Sequence, residues 1–294
     1  MNKIISLLLL ISILASCNTT KPEFELDETY MTKFNEYWTY SPNLNYMPLV
    51  GLFEMKKLQA NKFGSDKNND FTMDVVGMPS ILGSYSITRD SITYFAPDSL
   101  EVTNEEGEAI SSYTYPILNG GKSKKLRHGQ FYWFIHEVAG RPFLRVGDDK
   151  NPLLEEEGKY VYYPANADFI FNANYTPFDS PKEVSVPTIF DFEEVMTFIG
   201  TITFEYQGMQ QTLEVCDNGF LMFSDETSAL ETYGSGRYIN LQLPENGGEF
   251  VLDFNMAYNP PCSYSVYTVC KFPPTSNHLP FKVEAGEKYS DSKY

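Results

Sequence analysis

Between residues 201 and 224 the chain reads TITFEY, QQTLEV and FLMF, three short runs joined by Gln207-Gly208 and by Asp217-Asn218-Gly219. Alternation of apolar and polar residues puts one face of a strand in a core and the other in water. Asn-Gly supplies the left-handed backbone that a tight hairpin needs. A chain written this way is committed to antiparallel sheet. The same writing recurs elsewhere. YSITRDSITYFA turns at Arg89-Asp90, while QFYWFIHEV, PFLRVGD and KYVYYP are β-branched and aromatic runs bounded by Gly, Pro and Asp. GRYINLQL and EFVLDFN flank Glu245-Asn-Gly-Gly248 as a further expected hairpin. The 21 tyrosines and 22 phenylalanines suit half-buried, pleated surfaces. The expected fold is mainly β: an N-terminal β-sandwich, then a second antiparallel β unit, with one short N-terminal helix. That helix is read from EFELDETYMTKFNEYW, where Phe24, Leu26, Tyr30, Phe34, Tyr37 and Trp38 fall mostly at three- and four-residue spacings and stop before Ser41-Pro42. Its polar face lacks the Lys/Arg richness of interfacial helices, so the aromatic stripe is expected to pack on the protein. Prolines and charges in residues 178–194 mark a boundary, giving β units over 42–177 and 178–294.

The chain begins with Lys3, an apolar run from Ile4 to Ile13, and then Leu14-Ala15-Ser16-Cys17. An apolar core of about ten residues is too short to span a bilayer of roughly 30 Å and fits a cleaved signal peptide over residues 1–16. Leu-Ala-Ser-Cys resembles a bacterial lipobox. The resemblance implies cleavage before Cys17, a lipid thioether on its sulfur and an acylated amine, followed by a lipidated tether and helix over residues 17–41. Ordinary secretory cleavage beside an incidental cysteine is the alternative. Several acyl chains hold a protein to a membrane far more firmly than one does. The expected location is therefore the bacterial cell envelope, lipid-anchored, on the outer membrane or the periplasmic face in a Gram-negative cell. Twenty-two basic against 39 acidic side chains give a net charge of −17, which repels phosphate backbones and argues against nucleic acid as a partner. The basic cluster from Lys122 to Arg127 reads as a solvated turn.

Candidate chemistry gathers in residues 253–289. Seven residues lie between Cys262 and Cys270 and seven more between Cys270 and His278, whereas zinc sites favour two to four residues between paired cysteines; no metal site and no cofactor are expected. A Cys262–Cys270 disulfide suits an extracytoplasmic chain and would constrain the unfolded state by ~2.5 kcal/mol; two free structural thiols are the alternative. A Cys262–His278 dyad would need the thiol kept reduced. Cys216, beside the Asn-Gly turn, reads as a packed free thiol. YGSGRY lacks the Gly-x-Ser-x-Gly nucleophile turn. Arg237 beside it offers a rigid fork for a carboxylate or phosphate, or else an ion pair with Glu284 or Glu287. Those two glutamates are candidates for acid–base work if burial separates them, and otherwise solvated carboxylates. Asn255, Tyr258 and Asn259 bring neutral donors and acceptors to a proline-fixed loop, suited to a small polar pocket or to capping its own backbone. Two functions are therefore carried forward. One is a lipid-anchored module binding a small molecule or an envelope partner. The other is a hydrolase- or isomerase-type enzyme around Arg237, Asn255, Tyr258, Glu284 and Glu287, with no catalytic residue assigned.

Four blocks carry a family resemblance: LVGLFEMK…NKFGSDKNND (49–70), TPFDSPKEVSVPT (176–188), FSDETSALETYGSGRY (223–238) and LDFNMAYNPPC…AGEKY (252–289). They resemble the DUF1684 family of bacterial and archaeal proteins, which implies architecture and candidate positions and no mechanism. His278 stands where that pattern more often has Arg or another residue. The segment 61–87 also looks like a forkhead-associated β-sandwich. Ser65 occupies the position of that fold's phosphate-binding Arg, and Gly83 that of its His, so the resemblance implies fold without phosphothreonine binding, because a dianionic phosphate needs charge-assisted donors.

Overall fold

Strands form where alternation places them, and the first twelve build one sandwich. They are β1 (Leu49–Glu54), β2 (Ala60–Gly64), β3 (Phe71–Thr72), β4 (Gly83–Ile87), β5 (Ser91–Phe95), β6 (Val102–Thr103), β7 (Ala109–Ile110), β8 (Ser112–Pro116), β9 (Gly121–Lys122), β10 (Leu126–His128), β11 (Phe131–Val138) and β12 (Arg141–Asp148). This is a computed structural model and describes residues 24–39, 46–55, 60–116, 120–155 and 161–289. The expected signal peptide, Cys17 and the tether lie outside the described residues. One sheet runs β1-β12-β11-β10-β6-β7 with β9 also on β11, and the facing sheet runs β3-β2-β4-β5-β8. Their inner faces share one core, in which the Trp133 ring stands 5.5 Å from Phe63 and 5.4 Å from Tyr94. The hairpin at Arg89-Asp90 forms as its sequence predicts. Ile87 pairs with Ile92, and the Thr88 hydroxyl accepts from the backbone N–H of Asp90 and Ser91.

The second sandwich comprises β13 (Ile170–Pro187), β14 (Glu193–Tyr206), β15 (Met209–Cys216), β16 (Phe220–Asp225), β17 (Arg237–Asn240), β18 (Gly248–Asp253) and β19 (His278–Leu279). Its sheets run β15-β14-β13-β18 and β17-β16-β19 around a separate core. Gln207-Gly208, with φ of 51° and 76°, makes the expected tight turn between β14 and β15. The other two expected hairpins take a different form. Asp217-Asn218-Gly219 does turn through left-handed backbone (Asn218 φ 54°), but it carries the chain from one sheet to the other. The edge of β16 is filled by β17, and Leu241 N–H returns to Gly219 O at 2.8 Å. A Cβ on Gly219 would stand 2.0 Å from that Leu241 carbonyl, which is why glycine is required there. Likewise Glu245–Gly248 links β17, which pairs with β16, to β18, which pairs with β13. The described part of KYVYYP, residues 161–164, contributes an isolated bridge, Tyr162 to Glu287.

Positions 177 and 178, where composition marks a boundary, fall inside β13 at the bulge between Pro177 and Lys182. The two cores divide earlier, between Val146 and Phe169. The helix α1 (Glu28–Thr39) lays Phe34 and Trp38 into a cluster with Val186, Phe198 and Tyr238. Tyr30 donates to Asp253 at 2.9 Å and Tyr37 to the Met256 carbonyl at 2.8 Å, fixing the helix on the second sandwich. No helix among the described residues is long and apolar enough to cross a membrane.

The outer face of β11 and β12 meets the second sandwich. Phe143 packs its ring against Phe190 and Phe192, and Tyr267 joins Leu49, Tyr132 and Phe134. Gly147 lies under Tyr132, whose ring atoms come within 2.2 Å of where a Cβ would stand. A sheet covered on both sides reads as a nearly continuous apolar run, and β11 is such a run. Trp133→Ala is expected to destabilise the protein by about 3–5 kcal/mol, measured by urea unfolding.

Candidate functional site: a cationic cavity between two sandwiches

Cross-strand register sets Arg145 of β12 opposite Phe134 of β11, and Phe143 opposite His136. Both polar residues therefore share the outer face with Tyr132 and Phe134, while Trp133 and Leu144 point into the core. Where this face meets the proline-rich loop, a cavity of about 330 Å³ remains. Tyr46, His136 and Arg145 line it from the first sandwich. Phe220, Tyr238, Asn240, Tyr258, Pro261, Val269, Cys270 and Lys271 line it from the second. A larger concavity, about 550 Å³, is lined by Ala229, Leu230, residues 232–235 and Tyr289, with no charged side chain in its lining.

Arg145 is 2% exposed and its Nε has no hydrogen-bond partner. Among the described residues it forms no ion pair. Burial pulls the guanidinium down to about 10, with Tyr46 opposing the shift. His136 has a buried Nδ1 without a partner. Burial, then Arg145, Lys122 and Lys271, push it down to about 3, so it is neutral at pH 7. Lys271 is paired with Glu194 at 3.2 Å. Lys122 lies over the Tyr46 ring at 5.6 Å and Lys125 over Tyr132 at 4.6 Å, so the cluster expected to be a solvated turn instead covers aromatic faces of the sheet. A protein of net charge −17 thus concentrates cations around one cavity. On the second wall, the Tyr258 hydroxyl accepts from Asn240 Nδ2 at 3.0 Å and keeps its own proton to donate. Tyr238 spends its hydroxyl on the Lys271 carbonyl at 2.6 Å. Together these groups can hold an anion.

The residues singled out in the sequence mostly build something else. Arg237 is fully buried and paired with Asp225, Nη2 to Oδ2 at 2.7 Å, not with Glu284 or Glu287. It also donates from Nη2 to the Val283 carbonyl at 2.9 Å and from Nη1 to the Ala285 carbonyl. Asp225 in turn accepts from Thr227 N–H at 2.7 Å, the Thr227 hydroxyl at 2.6 Å and Val283 N–H at 3.2 Å. The fork expected to be open to a ligand is a buried lock on the C-terminal segment. Gly286, at φ 76°, continues that segment where a Cβ would stand 2.5 Å from the Ala257 carbonyl. Glu287 is buried and accepts from Asn259 N–H at 2.7 Å, and Asn259 Nδ2 donates to the Lys288 carbonyl. Asn255 clamps Asn166 through both its amide atoms and also donates to Asp253. Glu284 is exposed and stands apart from Glu287. Of the six candidates, Tyr258 alone lines the cavity.

Cys262 and Cys270 form a disulfide, Cα to Cα 6.1 Å, and Cys270 is part of the cavity wall. Neither is then available as a zinc ligand or a nucleophile. His278 sits on the surface between Ser224 at 3.1 Å and Glu226 at 3.2 Å, its side chain 46% exposed. Cys216 is buried, which raises its thiol to about 12. Among the described residues no group of three or more His, Cys, Asp or Glu side chains is arranged to hold a metal ion.

A family described as "Protein of unknown function (DUF1684)" matches residues 159–288. The chain is also similar to an uncharacterized protein from gene locus rrnAC0354 of Haloarcula marismortui, whose structure was solved by NMR in solution. Identity is 31%, over 46% of this chain and 78% of that one, with a TM-score of 0.39. The chain belongs to the DUF1684 family. No curated protein matches it.

The DUF1684 match covers the lock entirely, Asp225, Arg237, Val283, Ala285 and Glu287 included, and supplies the second wall of the cavity. His136 and Arg145 lie outside it. Both were legible as polar residues on the non-core face of strands apolar on either face, a pattern that asks what covers them. Two measurements follow from this geometry. Asp225→Asn leaves the Arg237 guanidinium buried without its counter-charge and is expected to cost about 3–5 kcal/mol in urea unfolding, with Asp225→Leu/Arg237→Met recovering much of it. For His136, the unfolded state takes up the proton first as pH falls below about 6.5, so stability is retained above that value and lost toward pH 3. His136→Gln is expected to flatten the loss between pH 7 and 4.5 by on the order of 1–2 kcal/mol.

Proposed function

We propose that this DUF1684 member is a lipid-anchored protein of the bacterial cell envelope that binds a small anion between its two sandwiches, with Arg145 as the anchor. The observation that carries the reading is a buried guanidinium with no counter-charge among the described residues, lining a cavity. An unpaired buried charge costs several kcal/mol. Such a cost is characteristic of sites where a ligand supplies the missing partner. Anchoring rests on the Leu14-Ala15-Ser16-Cys17 sequence, and a disulfide in the cavity wall accords with an oxidising compartment.

The first sandwich, read as forkhead-associated-like, serves this function as a wall rather than as a phosphopeptide reader. Its Gly-Ser-Asp segment stitches itself together: Ser65 donates to the Met78 carbonyl at 2.9 Å and Asn69 to the Ser80 carbonyl at 2.7 Å. An enzyme built on Arg237, Asn255 and Glu287 has no support in the geometry, since those groups are engaged with one another's segments. Binding is therefore the preferred reading.

Thermal unfolding of the mature chain tests it. Arg145→Met is expected to be more stable than wild type by about 1–3 kcal/mol without added anion. Small organic anions should stabilise wild type by mass action and leave the variant unmoved. A variant less stable than wild type, with no anion raising the wild-type midpoint, would refute the binding reading. For the anchor, Cys17→Ser should abolish labelled palmitate incorporation and release the protein from membranes.

A further inference from the structure

We infer that the ligand is an aromatic monocarboxylate of about one ring, held through its carboxylate by Arg145 and read at its far end by Tyr258; this rests on the anion-binding reading above. Size comes first. At about 330 Å³ the cavity sits at the lower end of the roughly 300–1,000 Å³ found for small-molecule pockets. That exceeds an inorganic ion and falls short of a nucleotide.

Charge narrows the class. Of the cations in the wall, Lys271 already has Glu194 at 3.2 Å, and His136 is neutral at pH 7 because burial and its cationic neighbours hold it so. That leaves Arg145, the guanidinium in the cavity lining, without a carboxylate among the described residues. A planar fork matches one carboxylate bidentately. A dianionic phosphate would ask for a second charged donor that the wall commits elsewhere.

The remaining walls are flat. Tyr46, Phe220, Tyr238 and Tyr258 bring four rings to the cavity. Phe220 and Tyr238 meet edge-on at 4.9 Å and 70°, and Tyr238 and Tyr258 at 5.9 Å and 88°. Perpendicular neighbours leave ring faces and edges for a further aromatic ring to complete the array. Tyr258 then adds direction. Its oxygen accepts from Asn240, so its proton is the donor offered to a polar substituent opposite the carboxylate.

The test is calorimetric titration of the mature chain with 4-hydroxybenzoate, cyclohexanecarboxylate and inorganic phosphate. The aromatic acid is expected to bind about tenfold or more tightly than either of the others, a margin within what ring–ring contact and one hydrogen bond supply. Arg145→Met should abolish its binding, and Tyr258→Phe should weaken it and narrow its advantage over cyclohexanecarboxylate. Phosphate binding as tightly or more so would overturn the carboxylate assignment while leaving an anion site. Equal binding of cyclohexanecarboxylate would overturn the aromatic one. If none of the three binds, the inference falls, whereas the anion reading stands or falls separately on the stability of Arg145→Met.

Discussion

The buried pair between Asp225 and Arg237 organises the C-terminal half. Neither side chain exposes more than 1% of its surface, and the pair is surrounded by further donors and acceptors, as a buried ion pair must be to offset desolvation. Through it β16 and β17 grip the carbonyls of Val283 and Ala285. The segment so held continues to Gly286 and Glu287, whose carboxylate takes Asn259 N–H and whose own N–H meets the Ala257 carbonyl at 2.7 Å. Asn259 opens the proline-rich loop. The lock thus fixes where that loop begins, and the cavity lies beneath the loop. One electrostatic contact, made by residues outside the cavity lining, sets the position of a cavity wall.

Sequence legibility followed the range of the interaction. Local signals were read well: the turns at Arg89-Asp90 and Gln207-Gly208 and the stripe of α1 depend on residues a few positions apart. Asn218-Gly219 was half legible. Its left-handed backbone is local, but whether the turn closes a hairpin depends on which strands pair with β16, and these are β17 and β19. Arg237 stands out in the sequence for a rigid fork that can take a carboxylate, and the carboxylate it takes is the protein's own. Its partner was misplaced because Asp225 lies twelve positions upstream on the adjacent strand, and sequence distance says nothing of register. Arg145 and His136 are legible only as polar residues in apolar strands, because the wall that covers them comes from residues far along the chain.

Two kinds of buried arginine coexist in this protein, and the proposed anion site rests on the difference between them. Arg237 has every reason to stay where it is when the protein is alone: a carboxylate, two carbonyls and an aromatic face at 5.3 Å. Arg145 has an aromatic neighbourhood and no counter-charge among the described residues. Burial alone is common to both, so burial does not distinguish a structural ion from a functional one. What distinguishes them is whether the fold supplies the opposite charge.

The disulfide adds an element of timing. Cys270 is both one half of the clasp and part of the cavity wall, so the pocket reaches its final shape only once those two sulfurs have been oxidised. In a chain that crosses a membrane before folding, that step belongs to the destination and not to the place of synthesis. If the chain is exported as proposed, its cavity would be completed only on arrival, and a copy held among reducing thiols would carry the same sequence without the clasp in its wall.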